Sequence, residues 1–231
     1  MNDVEYRRVM SVEDLEEIVA LRTRSYLARD VYVSKNQAMT DEYDLDRRFF
    51  TFGIYWQQRL IATLRIHIVT RDNPISHSQK YFPDVLDPLI AQGITFMDPT
   101  RFAIDPSASG IEALGLPLII LRLGFLAAKH FETDYCLSMI KEQHTGFYRK
   151  VFRSSQITPF QSFSSVHSRY ALFSSPRSME EVICADYPIF MSTATERKLL
   201  FNSVPVGSAP VLNVRPTARI AMQQRALMAP R

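Results

Sequence analysis

One stretch of the chain, residues 95–131, limits the folds that the sequence can adopt. It reads as a strand, Thr95 to Ile104, then a loop rich in proline, serine and glycine, Pro106 to Gly115, then a long apolar helix, Leu116 to Phe131. A loop between a strand and a helix N-terminus gathers free backbone N–H groups and the positive end of the helix dipole, which together can hold a phosphate. The stretch therefore predicts an α/β fold with its functional site at this junction.

The elements on either side of this stretch fit one α/β domain. We expect a strand at Val4 to Met10, a helix from Ser11 to Arg29, and a further strand at Asp134 to Ile140. The other predicted elements are a hairpin of Thr51 to Trp56 with Leu60 to Thr70, strands at Ile157 to Phe163 and His167 to Phe173, and helices at Ser178 to Cys184 and Thr195 to Asn202. Residues 1–203 would form the domain, and residues 204–231, which lack an apolar period, would be a disordered tail.

Composition and charge exclude several classes of protein. The formal charge of +3 is too weak to indicate nucleic acid, but it is compatible with an acidic protein partner. Cys136 and Cys184 lie in apolar settings and predict neither a disulfide nor a metal site. The N-terminus has no apolar signal-peptide region, and the longest apolar run, Leu114 to Ala128, is shorter than the ~20 residues of a membrane span. We expect a cytoplasmic protein without transmembrane segments.

Charged residues are concentrated in the first quarter of the chain. Arg22 and Arg29 are interpreted as a solvated face at the end of the first helix. Four carboxylates lie within the polar stretch Val31 to Asp46, and they would either attract a cationic amine or cap a short helix running through Arg47 and Phe50. His67 and His77 have no partner at ligand spacing, so we interpret both as structural or surface residues.

Three short patterns carry a resemblance to a known group of enzymes. Asp98-Pro-Thr-Arg101-Phe102 is similar to the Glu-x-x-Arg-Phe of acyl-homoserine-lactone (autoinducer) synthases, with an acid one carbon shorter. Asp41-Glu-Tyr-Asp44 resembles their Asp-x-Tyr-Asp pattern, and Arg24 precedes it as a family arginine does. The segment TRFAIDP resembles the central strand of these synthases and of the related long-chain N-acyl amino acid synthases. The resemblance covers about Val4 to Phe152 and implies a GNAT-like N-acyltransferase fold.

That fold implies a mixed, mostly antiparallel sheet flanked by helices and splayed between Thr95 to Ile104 and Asp134 to Ile140. A thioester arm would enter the splay from one side and an amine from the other. The resemblance implies roles for six side chains: Asp98 as the base, Arg101, Arg65 or Arg24 as the grip on an acceptor carboxylate, and Asp41 and Asp44 as further acceptor contacts.

Other residues would serve the acyl donor. Backbone N–H groups near Phe102 and Ala103 would polarise the thioester carbonyl. Tyr148 lies near a family tyrosine that can protonate the leaving thiolate, and the alternative interpretation is an aromatic residue that packs the helix. Arg65 has its own alternative, which is an outward-facing residue on an amphipathic strand.

The sequence of the loop after the central strand differs from the pattern of GNAT enzymes that use coenzyme A. Such acetyltransferases carry Gln/Arg-x-x-Gly-x-Gly/Ala at this loop, whereas this chain has Ile111 to Pro117 with one glycine. With Gly110 and Gly115 the loop could still hold the single phosphate of phosphopantetheine, which favours acyl carrier protein as the donor over coenzyme A. No tightly bound cofactor and no metal are expected.

A cluster of basic residues would steer the acidic carrier protein, or it would be an ordinary charged helix face. Its members are Lys129, Lys141, Arg149, Lys150 and Arg153.

The sequence therefore predicts transfer of a medium or long acyl chain from acyl carrier protein to an amino acid or a similar small amine. Two alternatives stay open. The first is an autoinducer synthase with S-adenosylmethionine as acceptor, which is disfavoured by the few aromatic residues in Val31 to Thr40. The second is a catalytically silent module that binds acyl carrier protein or acyl chains. No interaction with nucleic acid is expected.

Overall fold

The computed structural model describes residues 3–32, 39–108, 115–202 and 213–228. Gly110 and residues 204–212 and 229–231 of the predicted tail lie outside these ranges. The strands are β1 (Val4–Arg8), β2 (Phe49–Trp56), β3 (Arg59–Val69), β4 (Phe96–Ile104), β5 (Tyr135–Lys141), β6 (Ser155–Gln156), β7 (Gln161–Ser162), β8 (Arg169–Pro176) and β9 (Asn213–Val214). The helices are α1 (Val12–Ala28), α2 (His77–Tyr81), α3 (Pro83–Ala91), α4 (Leu116–Phe131), α5 (Thr145–Phe152), α6 (Glu180–Asp186), α7 (Ala194–Phe201) and α8 (Ala218–Met228).

The strands form one sheet in the order β6-β8-β5-β4-β3-β2-β1-β9, with β7 also paired to β8. Among the described strands every pairing is antiparallel except that of β4 with β5. The predicted hairpin is confirmed as β2 and β3. Of the predicted late strands, Ile157 to Phe163 contains only the two-residue β7, whereas His167 to Phe173 corresponds to β8. Consecutive strands therefore lie side by side from β1 to β4, and the connection to β5 is a crossover through α4.

Helix α4 forms the centre of the larger core, and its bounds agree with the sequence prediction. Gly115 stands at its N-cap with φ +67°, a backbone conformation that favours glycine. Pro117 occupies the first turn, where its missing N–H costs no hydrogen bond. The helix is buried on most sides because its apolar residues contact both the sheet and the later helices. The strand–loop–helix unit is thus held by apolar packing.

The sheet opens between β4 and β5. These two strands pair only at Phe96 with Tyr135 and at Met97 with Cys136, whereas β4 pairs with β3 from Phe96 to Ile104. Beyond Met97 the two parallel strands diverge, which confirms the predicted splay.

A β-bulge interrupts β4 within this opening. The register with β3 shifts between Thr63 and Arg65, and Arg101 takes φ +52°. A bulge leaves its extra residue outside the ladder and redirects nearby side chains. For an arginine the left-handed conformation is strained. The strain lies at the open part of the splay, where such distortions are typical of functional sites.

Two predictions are corrected by the structure. Residues 41–46 form turns, not a short helix, since the N–H of Asp44 donates to the carbonyl oxygen of Asp41 (3.2 Å) and β2 begins at Phe49. Residues 213–228 of the predicted disordered tail form β9 and α8. Val214 and Ala218 are buried, and this long-range packing is invisible in the local composition.

A buried ion pair links α4 to the C-terminal elements. The Arg122 guanidinium donates to Glu196 Oε1 (2.5 Å) and Oε2 (2.9 Å), and both side chains are fully buried. Arg122 also donates to the carbonyl oxygens of Ile189 (2.6 Å) and Met191 (2.7 Å). Glu196 in turn accepts from the N–H (3.0 Å) and hydroxyl (2.5 Å) of Thr217. The C-terminal segment is therefore tied to the centre of the core.

Among the helices of the described ranges, none combines the length and the apolar character that crossing a bilayer requires.

The first prediction tests this ion pair. Arg122→Met leaves the buried Glu196 carboxylate without its charge partner, so the free energy of unfolding at pH 7 should fall by ~3–5 kcal/mol in urea denaturation. The control is Arg48→Met, which breaks the exposed pair with Asp46 (2.7 Å) and should leave the free energy of unfolding almost unchanged, because water screens that pair. Equal losses in the two variants would contradict the role assigned to Arg122.

Candidate functional site

A cluster of buried charges lies where the loop before β2 meets β3 and β4. The guanidinium of Arg65 donates from Nη1 to Asp41 Oδ1 (2.5 Å) and Asp44 Oδ1 (3.1 Å), and from Nη2 to Asp41 Oδ2 (3.0 Å). Its Nε faces His67 Nε2 (3.1 Å) and Thr100 Oγ1 (3.3 Å). Arg65 is 1% exposed, so almost all of its hydrogen-bonding capacity is spent inside the protein. The outward-facing alternative for Arg65 is wrong.

Arg22 is the member of the cluster that the sequence analysis missed. It is 0% exposed and donates from Nη1 to Asp44 Oδ1 (2.7 Å) and to the carbonyl oxygen of Met39 (3.3 Å). The prediction of a solvated arginine is therefore wrong. A signal was present, because Ile18, Arg22 and Tyr26 follow one another at i, i+4 spacing on the buried face of α1.

Arg101 completes the cluster from the bulge of β4. It donates from Nη2 to Asp41 Oδ2 (2.6 Å) and from Nη1 to the hydroxyl of Tyr32 (3.1 Å). The structure thus brings together four of the predicted acceptor residues: Arg65, Arg101, Asp41 and Asp44. The bulge directs Arg101 toward the loop side of the sheet, which joins the two patterns of the sequence analysis in one place.

The charges of the cluster do not balance. Three guanidinium groups, of Arg22, Arg65 and Arg101, face two carboxylates. Within the described ranges, Nε and Nη2 of Arg22 and Nε of Arg101 are buried without a hydrogen-bond partner. Unpaired buried donors are costly, so such a site favours an additional anion. The side chain of Asp41 is 20% exposed, which leaves the cluster open at that edge.

The carboxylate of Asp41 stays ionised. Burial alone would raise its pKa, but the hydrogen bonds and charges of Arg65 and Arg101 outweigh burial and hold the pKa well below its usual range. A carboxylate in that state can contact a cationic ammonium group, but it is a poor proton acceptor near neutral pH.

His67 supports Arg65 in its neutral form. Burial, and then the charge of Arg65, lower its pKa to about 3. Its Nδ1 lies 3.4 Å from the carbonyl oxygen of Ile75, so that nitrogen carries the proton and Nε2 accepts from Arg65. The ring also lies 4.2 Å from the ring of Phe49. His67 therefore has the structural place that the sequence predicted.

Asp98 lies beside this cluster but not in an open cleft. It is 0% exposed, and its carboxylate accepts from the N–H (2.9 Å) and the hydroxyl (2.8 Å) of Ser78 at the start of α2. Burial raises its pKa, and the hydrogen bonds of Ser78 act in the opposite direction. This geometry favours an acid that caps α2 and fixes it to β4, and the predicted role as base stays a prediction.

Arg24 does not belong to this cluster, which is called the acceptor cluster below because four of its members are predicted acceptor residues. Its guanidinium Nη2 lies 3.2 Å from Asp105 Oδ2, at the far end of β4, and its side chain is 56% exposed. Arg24 and Arg22 lie two positions apart on α1, so they project in opposite directions. The family position of Arg24 therefore marks the correct helix, while Arg22 is the arginine that enters the cluster.

An apolar cleft lies on the other face of the splay. It is narrow, with a volume of about 20 Å³, and is bounded by β4, β5, α4 and α5. Met97 and Pro99 line it from β4, and Tyr148 lines it from α5. Gly124 of α4 permits this packing, because a Cβ there would lie 3.2 Å from Met97. Burial raises the pKa of Tyr148 to about 12, so its hydroxyl is protonated at neutral pH.

The remaining donor-side predictions are distributed along the splay. Phe102 and Ala103 lie at the bulge of β4, and Gly115 caps α4. The predicted carrier surface is not one patch, because Lys129 pairs with Glu180 and Arg153 pairs with Asp186 on α6. Lys141 ends β5, while Arg149 and Lys150 are exposed on α5.

The structure groups no set of three His, Cys, Asp or Glu residues for a metal ion in the ranges it describes. The acceptor cluster has two carboxylates, but three guanidinium groups already surround them.

Comparison of the sequence with models of protein families finds a match. The family model described as "N-acyl amino acid synthase FeeM" matches residues 17–174, more than half of the chain. The match includes the acceptor cluster, the bulged strand and the apolar cleft up to β8. A search of curated proteins finds no match.

Comparison with solved structures shows the fold. The structure of FeeM, an N-acyl amino acid synthase from uncultured soil microbes, is similar with a TM-score of 0.63 and 16% identity over 78% of this chain and 93% of that chain. The structure of the acyl-homoserine lactone synthase LasI is similar with a TM-score of 0.54 and 16% identity, over 89% of this chain and 98% of that chain. The structure of an acyl-CoA N-acyltransferase from Pseudomonas aeruginosa has a TM-score of 0.51 and 15% identity, over 75% of this chain and 98% of that chain.

These similarities confirm the predicted GNAT-like fold, with its mixed and mostly antiparallel sheet flanked by helices. The family match confirms the resemblance that the central strand and the Asp41–Asp44 pattern indicated. The chain belongs to the N-acyl amino acid synthase family of FeeM.

Proposed function

We propose that this N-acyltransferase moves a medium or long fatty acyl chain from acyl carrier protein to the amino group of an amino acid or a similar small amine. The observation that carries the proposal is the meeting of two unlike sites at one strand. Pro99 lines the apolar cleft, while the next two residues, Thr100 and Arg101, contact the charged cluster on the opposite face. An acyl thioester and a charged acceptor can thus approach β4 from opposite sides.

The excess positive charge supports an acceptor that carries a carboxylate. The buried donors of Arg22 and Arg101 would gain an acceptor when that carboxylate binds. The exposed edge of Asp41 would contact the ammonium group before it loses its proton. Arg65 holds Asp41 and Asp44 in place and has little capacity left for a substrate. In this proposal Arg65 is a positioning residue, and Arg101 contacts the acceptor.

The reaction balances without a metal or a redox step. The amine nitrogen attacks the thioester carbonyl carbon, the C–N bond forms, and the C–S bond breaks. The thiolate takes one proton to become a thiol, and the ammonium releases its other excess proton to water. Backbone groups at Phe102 and Ala103, freed by the bulge, would polarise the carbonyl oxygen. Tyr148, protonated and lining the cleft, would give its proton to the thiolate and regain one, through water, from the attacking nitrogen.

The second prediction concerns the donor. Because the loop after β4 has one glycine of the pyrophosphate pattern, acyl carrier protein thioesters should give kcat/KM values about tenfold or more above the coenzyme A thioesters of the same chain length. The difference should shrink as salt screens the protein–protein attraction. Amide product would be quantified by mass spectrometry. Equal values for both donors at low salt would reject the carrier protein as the preferred donor.

The third prediction concerns the acceptor. Arg101→Met and Asp41→Asn remove charge-assisted hydrogen bonds worth ~1.5–3 kcal/mol, so kcat/KM for the acceptor should fall about 10- to 100-fold. Glu42→Gln is the matched control, since Glu42 neighbours Asp41 but is exposed, and it should keep its activity. Circular dichroism would verify that the variants are folded. Full activity of Arg101→Met would remove this residue from the acceptor site.

The fourth prediction separates the two roles of Asp98. If the acid caps α2, Asp98→Asn loses one of the two bonds from Ser78, which lowers the melting temperature and leaves turnover within about tenfold of the wild type. This is the result that we expect. A fall of about 10²–10⁴ that recovers as the pH rises would instead assign Asp98 as the general base. The measurement is a pH–rate profile together with thermal unfolding of the same samples.

A further inference from the structure

A second group of charges lies at the far end of β4, where the connection to α4 begins. Asp105 Oδ1 accepts from the N–H (2.8 Å) and the hydroxyl (2.6 Å) of Ser107, and its Oδ2 lies 3.2 Å from Arg24 Nη2. Arg59, the first residue of β3, donates from Nη2 to Ser107 Oγ (2.6 Å) and lies 4.0 Å from Asp105. Three separate parts of the chain thus place two guanidinium groups beside the first residues of this loop.

This group carries one positive charge in excess and keeps it accessible. Asp105 is 7% exposed, whereas the side chains of Arg24 and Arg59 are 56% and 51% exposed. Burial would raise the pKa of Asp105, but the bonds from Ser107 and Arg24 lower it, so the carboxylate stays charged. One carboxylate orients both arginines and neutralises one of them. The remaining positive charge would balance the single negative charge of one phosphate diester.

The position fits the arm of the proposed donor. Pro99 at the cleft and Asp105 are at most about 20 Å apart, the length of six residues at ~3.3 Å each, because the bulge at Arg101 shortens the strand. A phosphopantetheine arm that places its thioester at the cleft and runs along β4 would bring its phosphate to this end of the strand. The phosphate would arrive beside Arg24, Arg59 and the N-terminal side of α4.

We propose that Arg24 and Arg59, oriented by Asp105 and Ser107, bind the 4′-phosphate of the phosphopantetheine arm. The proposal rests on the proposed function and extends it, because side chains from α1 and the start of β3 take over the role that the missing glycines play in the coenzyme A loop. It also moves Arg24 from the acceptor to the donor. The same phosphate is present in acyl carrier protein and in coenzyme A, so both sources are tested.

The test compares donors that differ in the phosphate alone. Wild type, Arg24→Gln and Arg59→Gln are assayed with acyl-phosphopantetheine and acyl-pantetheine of one chain length, and then with the acyl carrier protein and coenzyme A thioesters. We expect kcat/KM to fall about tenfold or more in each variant with the phosphorylated donors. The loss with acyl-pantetheine should be several-fold smaller, and Arg59→Lys should recover part of the activity. Arg48→Gln is the control, since Arg48 is 55% exposed, is paired to Asp46, and lies at the opposite end of β2.

The outcomes separate this site from the proposed function. Equal losses with both donors in the variants, or equal use of both donors by the wild type, would overturn the phosphate site and leave the acyl transfer standing. If the losses occur with coenzyme A but not with carrier protein, the site serves the nucleotide donor. If no donor yields an amide, the proposed function fails, and calorimetric titration of 4′-phosphopantetheine against pantetheine then tests the site directly. Binding of the phosphorylated compound alone, weakened in both variants, would support it, and equal binding would reject it.

Discussion

The bonds of Arg65 to Asp41 and Asp44 hold the acceptor region together. Residues 39–48 of the loop before β2 form turns and belong to no strand or helix, so no backbone ladder fixes them to the sheet. Their position is set instead by carboxylates that reach a buried guanidinium on β3. A buried charge without a partner is very costly, and this cost makes the loop conformation specific. Arg22 binds Asp44 and Arg101 binds Asp41, so α1, the loop, β3 and β4 share one electrostatic centre.

The sheet separates two environments of opposite character. On one face ionised side chains are packed closely, and on the other α4 presents apolar residues to a cleft. Strand β4 is the boundary, because its alternation sends successive side chains to opposite faces. A fatty chain and a charged amine have incompatible solvation needs, and a single mixed pocket would serve both poorly. In the proposed reaction, the splay would let each substrate stay in its own environment until the reacting atoms meet.

Local patterns in the sequence were sufficient for the long elements. The apolar period of α4 and the turn residues of the β2–β3 hairpin lie within a few positions of the structure they predict. The errors concern contacts between distant residues. The sequence predicts a solvated Arg22 because the partner of this residue, Asp44, is 22 residues away. The predicted basic patch also ignored Glu180 and Asp186, which neutralise two of its members only after α6 packs. A family pattern located the acceptor loop, but it could not decide which arginine of α1 enters the cluster.

The pairing of Arg122 with Glu196 has a consequence for the order in which the protein can mature. The carboxylate follows its arginine by 74 residues, so α4 leaves the ribosome several seconds before its partner exists, at ~5–20 residues per second. During that interval Arg122, in the middle of α4, has no carboxylate with which to pair in the core. Helix α4 can pack fully against the sheet only when α7 arrives, and Thr217 reaches Glu196 later still. The cleft beside α4 is therefore finished only after α7 and Thr217 have been synthesised.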